Sequence, residues 1–110
     1  MPERVRLASI NVNGIRAAVR NGMGAWLDAA DVDIITLQEV RATAADLAVA
    51  LPGWQLVNDE ATAKGRSGVA IASRIEPTAV RRGLGDDSVD LAGRWIEADF
   101  ELGGEPLTVV

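Results

Sequence analysis

Cysteine, histidine and tyrosine are missing from the 110 residues, and phenylalanine occurs once. Without cysteine there is no disulfide scaffold, thiolate zinc site or cysteine nucleophile, so stability must come from packing, and the chain fits a reducing compartment without requiring one. The lack of histidine removes imidazole as general base, proton shuttle or metal ligand. No apolar run approaches the ~20 residues needed to span a bilayer. The opening MPERVRLASI has no signal-peptide pattern, so a cytoplasmic location and no membrane partner are the expectation.

What is present describes a protein that folds. Apolar residues make up 48% of the chain and charged residues 25%, and no stretch is low in complexity, which sets it apart from disordered chains. The formal charge of -5 weighs against nucleic acid as a partner, because a phosphate-binding surface needs Lys and Arg to replace counterions. That objection is about the average. Arg16, Arg20, Arg41, Lys64 and Arg66 form a group able to lie on one side while the acids lie elsewhere.

Patterning predicts the elements. Val5 to Val12 alternates, with Val5 and Leu7 on one face and Ala8 and Ile10 on the other, and it ends at the turn signal Asn13-Gly14. Ile15, Val19, Met23, Trp26, Leu27 and Ala30 recur at helical spacing, but Asn21, Gly22 and Gly24 weaken the middle, which predicts two short helices. Asp33 to Gln38 is a compact β-branched run, the mark of a strand buried on both faces. Thr43 to Leu51 is predicted as a short helix capped by Thr43 and stopped by Pro52-Gly53. Further strands are predicted at Gln55 to Val57, Ser67 to Ala72, Thr78 to Arg81 and Arg94 to Phe100, with a last one from Leu107 onward. The Trp residues at 26, 54 and 95 sit among apolar neighbours and are expected in the core.

This order implies an α/β (α+β) fold, a mixed sheet with helices on one face. Val69 and Ile71 oppose Ala70 and Ala72, so the sheet should be covered on both sides. Two helical stretches cannot do this alone. Residues 1-110 are therefore read as one half of a larger sandwich, part of a single domain whose other half is absent.

Three groups of residues could carry chemistry. Asn11 and Asn13 in ASINVNGIRAA stand two apart at a strand end, which would aim both amides at one site; Asn-Gly is also an ordinary turn. Glu39 directly follows a buried strand, at the sheet edge where α/β proteins place ligands, and one such carboxylate suits magnesium. It could equally be surface charge or the acid of a helix start. Strands joined by a crossover helix are normally adjacent and parallel, so Asn11 and Glu39 should emerge side by side. Lys64, Gly65 and Arg66 precede a strand and could grip phosphate, or form a solvated hairpin turn. Asp86, Asp87 and Asp90 lack calcium-loop spacing and are read as a solvated loop.

The segments ASINVNGIRAA, DIITLQEVRA, GRSGVAIASR, AVRRGLGDD and GRWIEADF, in this order, resemble the exodeoxyribonuclease III and abasic-site endonuclease branch of the endonuclease/exonuclease/phosphatase superfamily. The resemblance implies part of a four-layer αββα sandwich, deoxyribonuclease-like, with two mixed sheets face to face. It implies a Mg2+ cofactor, with Mn2+ as a substitute, and double-stranded DNA with abasic sites or 3′ ends as the partner of a complete, monomeric enzyme. Asn11 then matches the first-strand asparagine that orients the catalytic centre, and both Asn11 and Glu39 stand at the metal. Asn13 matches a polar position near it. Arg16 and Ala17 match the loop that grips the DNA backbone, and Lys64 and Arg66 become substrate contacts; at Arg66 some relatives carry an aromatic or histidine. The family's tyrosine, its Asp-x-Asn pair, its later aspartate and its Ser-Asp-His have no counterpart here, which implies that this chain alone is inactive. A phosphatase or phosphodiesterase of the same superfamily acting on a non-DNA substrate would share Asn11 and Glu39, although NGIRA points to the DNA-repair branch. A non-enzymatic α/β binding module is the remaining class.

Overall fold

The computed structural model describes residues 4–63 and 65–110; the predicted phosphate contact Lys64 lies outside them. Strand β1 (Leu7–Asn11) leads into α1 (Ile15–Arg20) and α2 (Met23–Ala30), and β2 (Ile34–Gln38) follows. Next come α3 (Ala44–Ala50), β3 (Gln55–Asp59) and β4 (Val69–Ser73). The remainder is β5 (Ala79–Arg82), the single turn α4 (Asp87–Asp90), β6 (Ile96–Leu102) and β7 (Glu105–Val109).

The predicted break between two helices is real. Gly22 adopts φ 98 between α1 and α2, a left-handed conformation that costs glycine nothing and other residues strain. Thr43 caps α3 as expected, its side chain accepting from the Asp46 N–H while the Asp46 carboxylate accepts from the Thr43 N–H, so both exposed donors are satisfied. Strand bounds shift where glycines intervene. The strand expected from Ser67 begins at Val69, because Ser67 (φ 46) and Gly68 (φ 91) turn the backbone. The last strand starts two residues early, because Gly103 and Gly104, both at positive φ, close a tight hairpin of the kind two glycines favour.

Two sheets result, one in the order β1-β2-β4-β3 and one in the order β5-β6-β7. β1 and β2 pair in parallel, and the other pairs are antiparallel. Ile35, Leu37, Ala70 and Ala72 point to one side of the first sheet and pack with Ile15, Met23, Leu27 and Leu47 from α1, α2 and α3. Ile34, Ile71, Val57 and Val69 point to the other, against Ile96, Ala98, Phe100 and Val109 of the second sheet. The two-sided burial read from Val69 and Ile71 against Ala70 and Ala72 is thus met by helices on one face and a second sheet on the other. Helix, sheet and sheet account for three layers of the αββα arrangement.

Two expectations are corrected. Trp26 is 52% exposed, and Trp54 and Trp95 are only half-buried. Arg74 lies 3.7 Å over the Trp54 ring, and the Trp95 indole N–H donates to Glu97 at 2.9 Å. Trp54 still packs against the helix-side core, whereas Trp26 and Trp95 do not belong to it, and an edge position lets a polar group meet the Trp54 and Trp95 rings. The acidic loop is also more ordered than read: Asp86 caps α4, and Asp90 accepts the N–H groups of Leu84 and Gly85 at 2.7 and 3.0 Å.

The outer face of the second sheet carries a charged ladder. Arg81 binds Asp99 through two nitrogens, each at 2.8 Å, and reaches Glu97 at 3.3 Å, while Thr108 donates to Asp99 at 2.8 Å. Arg81 first, then Thr108, hold the Asp99 carboxyl at about 2 against an ordinary 3.8. A carboxylate depressed in the folded state contributes stability above its unfolded value, and that contribution disappears as pH falls through the folded one. Asp99→Asn is therefore expected to make the urea midpoint less dependent on pH between 3.8 and about 2, measured by fluorescence; an unchanged acid limb would contradict the assignment.

Candidate metal and nucleic-acid site

The parallel register sets Ser9 opposite Thr36 and Asn11 opposite Gln38. These share one face of the sheet with exposed Leu7 and with Ile34, which is buried against the second sheet, so along β2 that face changes from apolar to polar toward the strand end. Gln38 Nε2 donates to Ser9 at 3.2 Å and to Thr36 at 3.3 Å. The polar end opens beside a cavity of about 220 Å³ lined by Thr36, Gln38, Val69, Ile71, Arg94 and Trp95.

Backbone pairing continues past the strands. Val12, Gly14 and Ile15 donate to the carbonyls of Gln38, Glu39 and Val40 at 2.8 to 3.0 Å. Val40 and Arg41 in turn donate to Gly68 and Ser67 at 3.0 and 2.8 Å. Three loops are thereby stitched together, and they hold Asn13, Glu39, Arg41 and Ser67 at φ 46, 51, 54 and 46. Such left-handed non-glycine residues cost of order 1 kcal/mol or more each, and their clustering is typical of sites whose geometry is held by surrounding contacts.

Asn11 and Glu39 meet at this corner. The Asn11 side chain, ahead of Arg41, lowers the Glu39 carboxyl below its ordinary 4.5, so Glu39 is ionised at neutral pH. Arg41 Nη2 lies 3.1 Å from Glu39 Oε1. Asn11 Oδ1 accepts the Asn13 N–H at 3.0 Å, so the amide nitrogen is the end of the side chain left for a carboxylate. Asn13 itself lies beyond β1, where strand alternation no longer governs it; it turns the chain and anchors Asn11. The turn reading of Asn-Gly is thus met by Asn13 at φ 46 and Gly14 at φ 94. Glu39 is no helix-start acid, since Asp46 fills that place in α3.

The predicted cations gather beside this corner. Arg16, Arg41, Arg66 and Ser67 line a depression of about 200 Å³, which also takes in Asp46 and Glu60. Gly14, Arg16, Ala17, Arg20 and Arg41 line an adjoining one. A net negative chain thus carries a local basic surface, made from the residues picked out in sequence, Lys64 apart. Glu39 also borders a hollow of about 250 Å³ with Gln38, Ser67, Gly68 and Arg94. Gln38 and Arg94 went unread. Gln38 was visible as the polar end of an apolar run, whereas Arg94 is brought here only by the second sheet.

The donor set fits a magnesium ion in part. Mg2+ takes oxygen ligands, often one or two carboxylates with waters and phosphate, and Glu39 supplies one ionised carboxylate. Among the described residues no three acidic side chains stand close enough together to hold an ion. The hydrogen bonds of Asn11 suit it to orienting that carboxylate.

A sheet-edge carboxylate held by a first-strand amide, within an α-β-β stack, defines a class, and the chain belongs to the Endonuclease/Exonuclease/phosphatase family, which matches residues 8–110. It is 36% identical over 98 residues to the Exodeoxyribonuclease of Bacillus subtilis, covering 88% of this chain and 39% of that protein. It is 33% identical over 104 residues to the DNA repair nuclease APEX1 of Danio rerio, covering 87% of this chain and 33% of that protein. The solved AP endonuclease of Archaeoglobus fulgidus superposes with a TM-score of 0.70 at 29% identity, covering 96% of this chain and 40% of the other. The fold is therefore that of the AP endonucleases, an αββα sandwich of the deoxyribonuclease type, and this chain spans about two-fifths of it or less.

Removing the Asn11 amide tests the corner. Asn11→Ala is expected to raise the Glu39 pKa toward its ordinary 4.5, and Asn11→Asp to raise it further through like-charge repulsion. A side-chain carboxyl 13C titration reads both, and coincident curves for all three proteins would dissolve the pairing.

Proposed function

We propose that this chain is the N-terminal part of a Mg2+-dependent DNA-repair nuclease of the exodeoxyribonuclease III type, acting in a single domain on double-stranded DNA at abasic sites and 3′ ends. The observation that carries the reading is the corner where ionised Glu39, oriented by Asn11, borders arginine-lined depressions. An acid for a cation and a basic track for phosphates are the two things a metal-dependent nuclease needs together. The relatives named as an exodeoxyribonuclease and a DNA repair nuclease support DNA as the substrate.

Each residue has a role in this reading. Glu39 holds the metal, with Asn11 fixing the carboxylate's direction and Asn13 fixing Asn11. Arg16 on α1, with Ala17 letting the backbone approach, and Arg66 on the facing loop receive backbone phosphates. Lys64 joins them. When bound, Mg2+ supplies positive charge to the phosphate as negative charge develops on it.

The chain by itself is proposed to be inactive. It holds no imidazole and no phenol, and groups that act as a unit lose many orders of magnitude in rate when most are missing. An assay of the 110-residue polypeptide on an abasic duplex with Mg2+ is expected to show no cleavage; strand scission that vanishes in Glu39→Ala would overturn this.

Binding is separable from turnover. Arg16→Ala and Arg66→Ala should each weaken duplex binding similarly for all sequences, and should each reduce the slope of log K against log salt by about 0.9. Fluorescence anisotropy over a salt series measures this. An unchanged slope in both variants would remove the basic depression from the DNA path.

A further inference from the structure

Arg41 stands between the two halves of the site. Its backbone is pinned, donating to the Ser67 carbonyl at 2.8 Å in a left-handed conformation of φ 54. Its side chain is held far less: it is 42% exposed and bound to Glu39 at 3.1 Å. The same residue lines both basic depressions, beside Arg16 and Arg66 in one and beside Arg16 and Arg20 in the other. An anchored backbone with a loosely held guanidinium at a boundary is the arrangement of a residue that can change partners without moving the chain.

Resting on the reading of Glu39 as a cation ligand, we propose that Arg41 is an exchangeable counter-ion. It neutralises Glu39 while no divalent cation is there. When the cation takes the carboxylate, Arg41 turns into the depression beside Arg16 and Arg66 and receives a DNA backbone phosphate. The charges require this direction. A guanidinium and a divalent cation repel each other at one carboxylate, and a freed guanidinium beside Arg16 and Arg66 leaves three cations against Asp46 and Glu60 in that depression, which favours an added anion. Phosphate is such an anion, and Arg binds it through two parallel hydrogen bonds. Metal binding and duplex binding are then coupled through one side chain, and by linkage each tightens the other by the same factor. Exposed ion pairs are weak, so the factor is small, about two- to five-fold.

A fixed clamp that merely orients Glu39 makes the opposite prediction for metal affinity, which allows a clean test. Free Mn2+ is followed by electron paramagnetic resonance in titrations of the 110-residue chain at constant ionic strength. Binding of a fluorescent duplex is followed by anisotropy with EDTA or with Mg2+. Arg41→Gln should bind Mn2+ about two- to five-fold more tightly and should lose the Mg2+-dependent gain in duplex affinity. Arg41→Lys, which keeps the charge, should retain part of the gain and guards against a folding artefact. Equal or weaker Mn2+ binding by Arg41→Gln, or a Mg2+-dependent gain that survives in it, overturns the exchange. Glu39→Gln separates the two levels: if its Mn2+ binding equals that of the unchanged chain, the reading of Glu39 itself has failed.

Discussion

The parallel pairing of β1 with β2 is the constraint on which the site depends. It sets Asn11 opposite Gln38, and one residue further on Glu39 leaves the sheet within reach of the Asn11 amide. A slip of one residue would turn Asn11 to the helix side and bury Ile10 or Ala8 against the wrong layer. Register is secured from the β2 side, where both faces are covered, while β1 adds Ala8 and Ile10 against the helices. Ile35 and Leu37 are fully buried under the helices, and Ile34 is fully buried under the second sheet, so displacement costs packing on two sides at once. The chemistry of the corner is in this sense held in place by the core.

Beyond the strand ends the holding force changes from packing to backbone hydrogen bonds. Residues 12–15, 39–41 and 67–68 form a continuous set of N–H to carbonyl bonds, and four non-glycine residues within it adopt left-handed conformations. Gly93 extends the set, accepting from the Gly68 N–H at 3.1 Å. A Cβ on Gly93 would lie 2.5 Å from the Ala61 nitrogen, so only glycine allows these segments to approach. The result is a rigid backbone rim with exposed side chains, Glu39, Arg41, Arg16 and Arg66, projecting from it. Precision of placement and freedom of the charged tips coexist for that reason.

Polarity is distributed along the same axis. On the face of β2 turned to the second sheet the side chains run from buried Ile34 through half-buried Thr36 to Gln38, so the dry interior gives way to polar groups at the end where Glu39 stands. The outer face of the second sheet is instead a ladder of Arg81, Glu97, Asp99 and Thr108. Acidic charge on that face and arginines near the polar end explain how a chain of net charge -5 presents a basic surface where phosphate would bind.

Much of this was legible in the residues themselves. Period-two alternation at Val69 to Ala72 gave away the two-sided sheet, Asn21 and Gly22 the divided helix, Thr43 the cap of α3, and the crossover between two apolar strands their parallel pairing. These are local patterns, and the forces behind them act over a few residues. Trp26, Trp54 and Trp95 could not be placed this way, because whether an aromatic ring is covered depends on which layer ends above it. Nor could Arg94 be linked to Glu39, since the second sheet alone brings it there. The sequence by itself determined the elements, their apolar faces and the kind of chemistry Asn11 and Glu39 offer. Only the tertiary structure decided which charges share a surface, because electrostatic neighbours are chosen by the packing of distant segments.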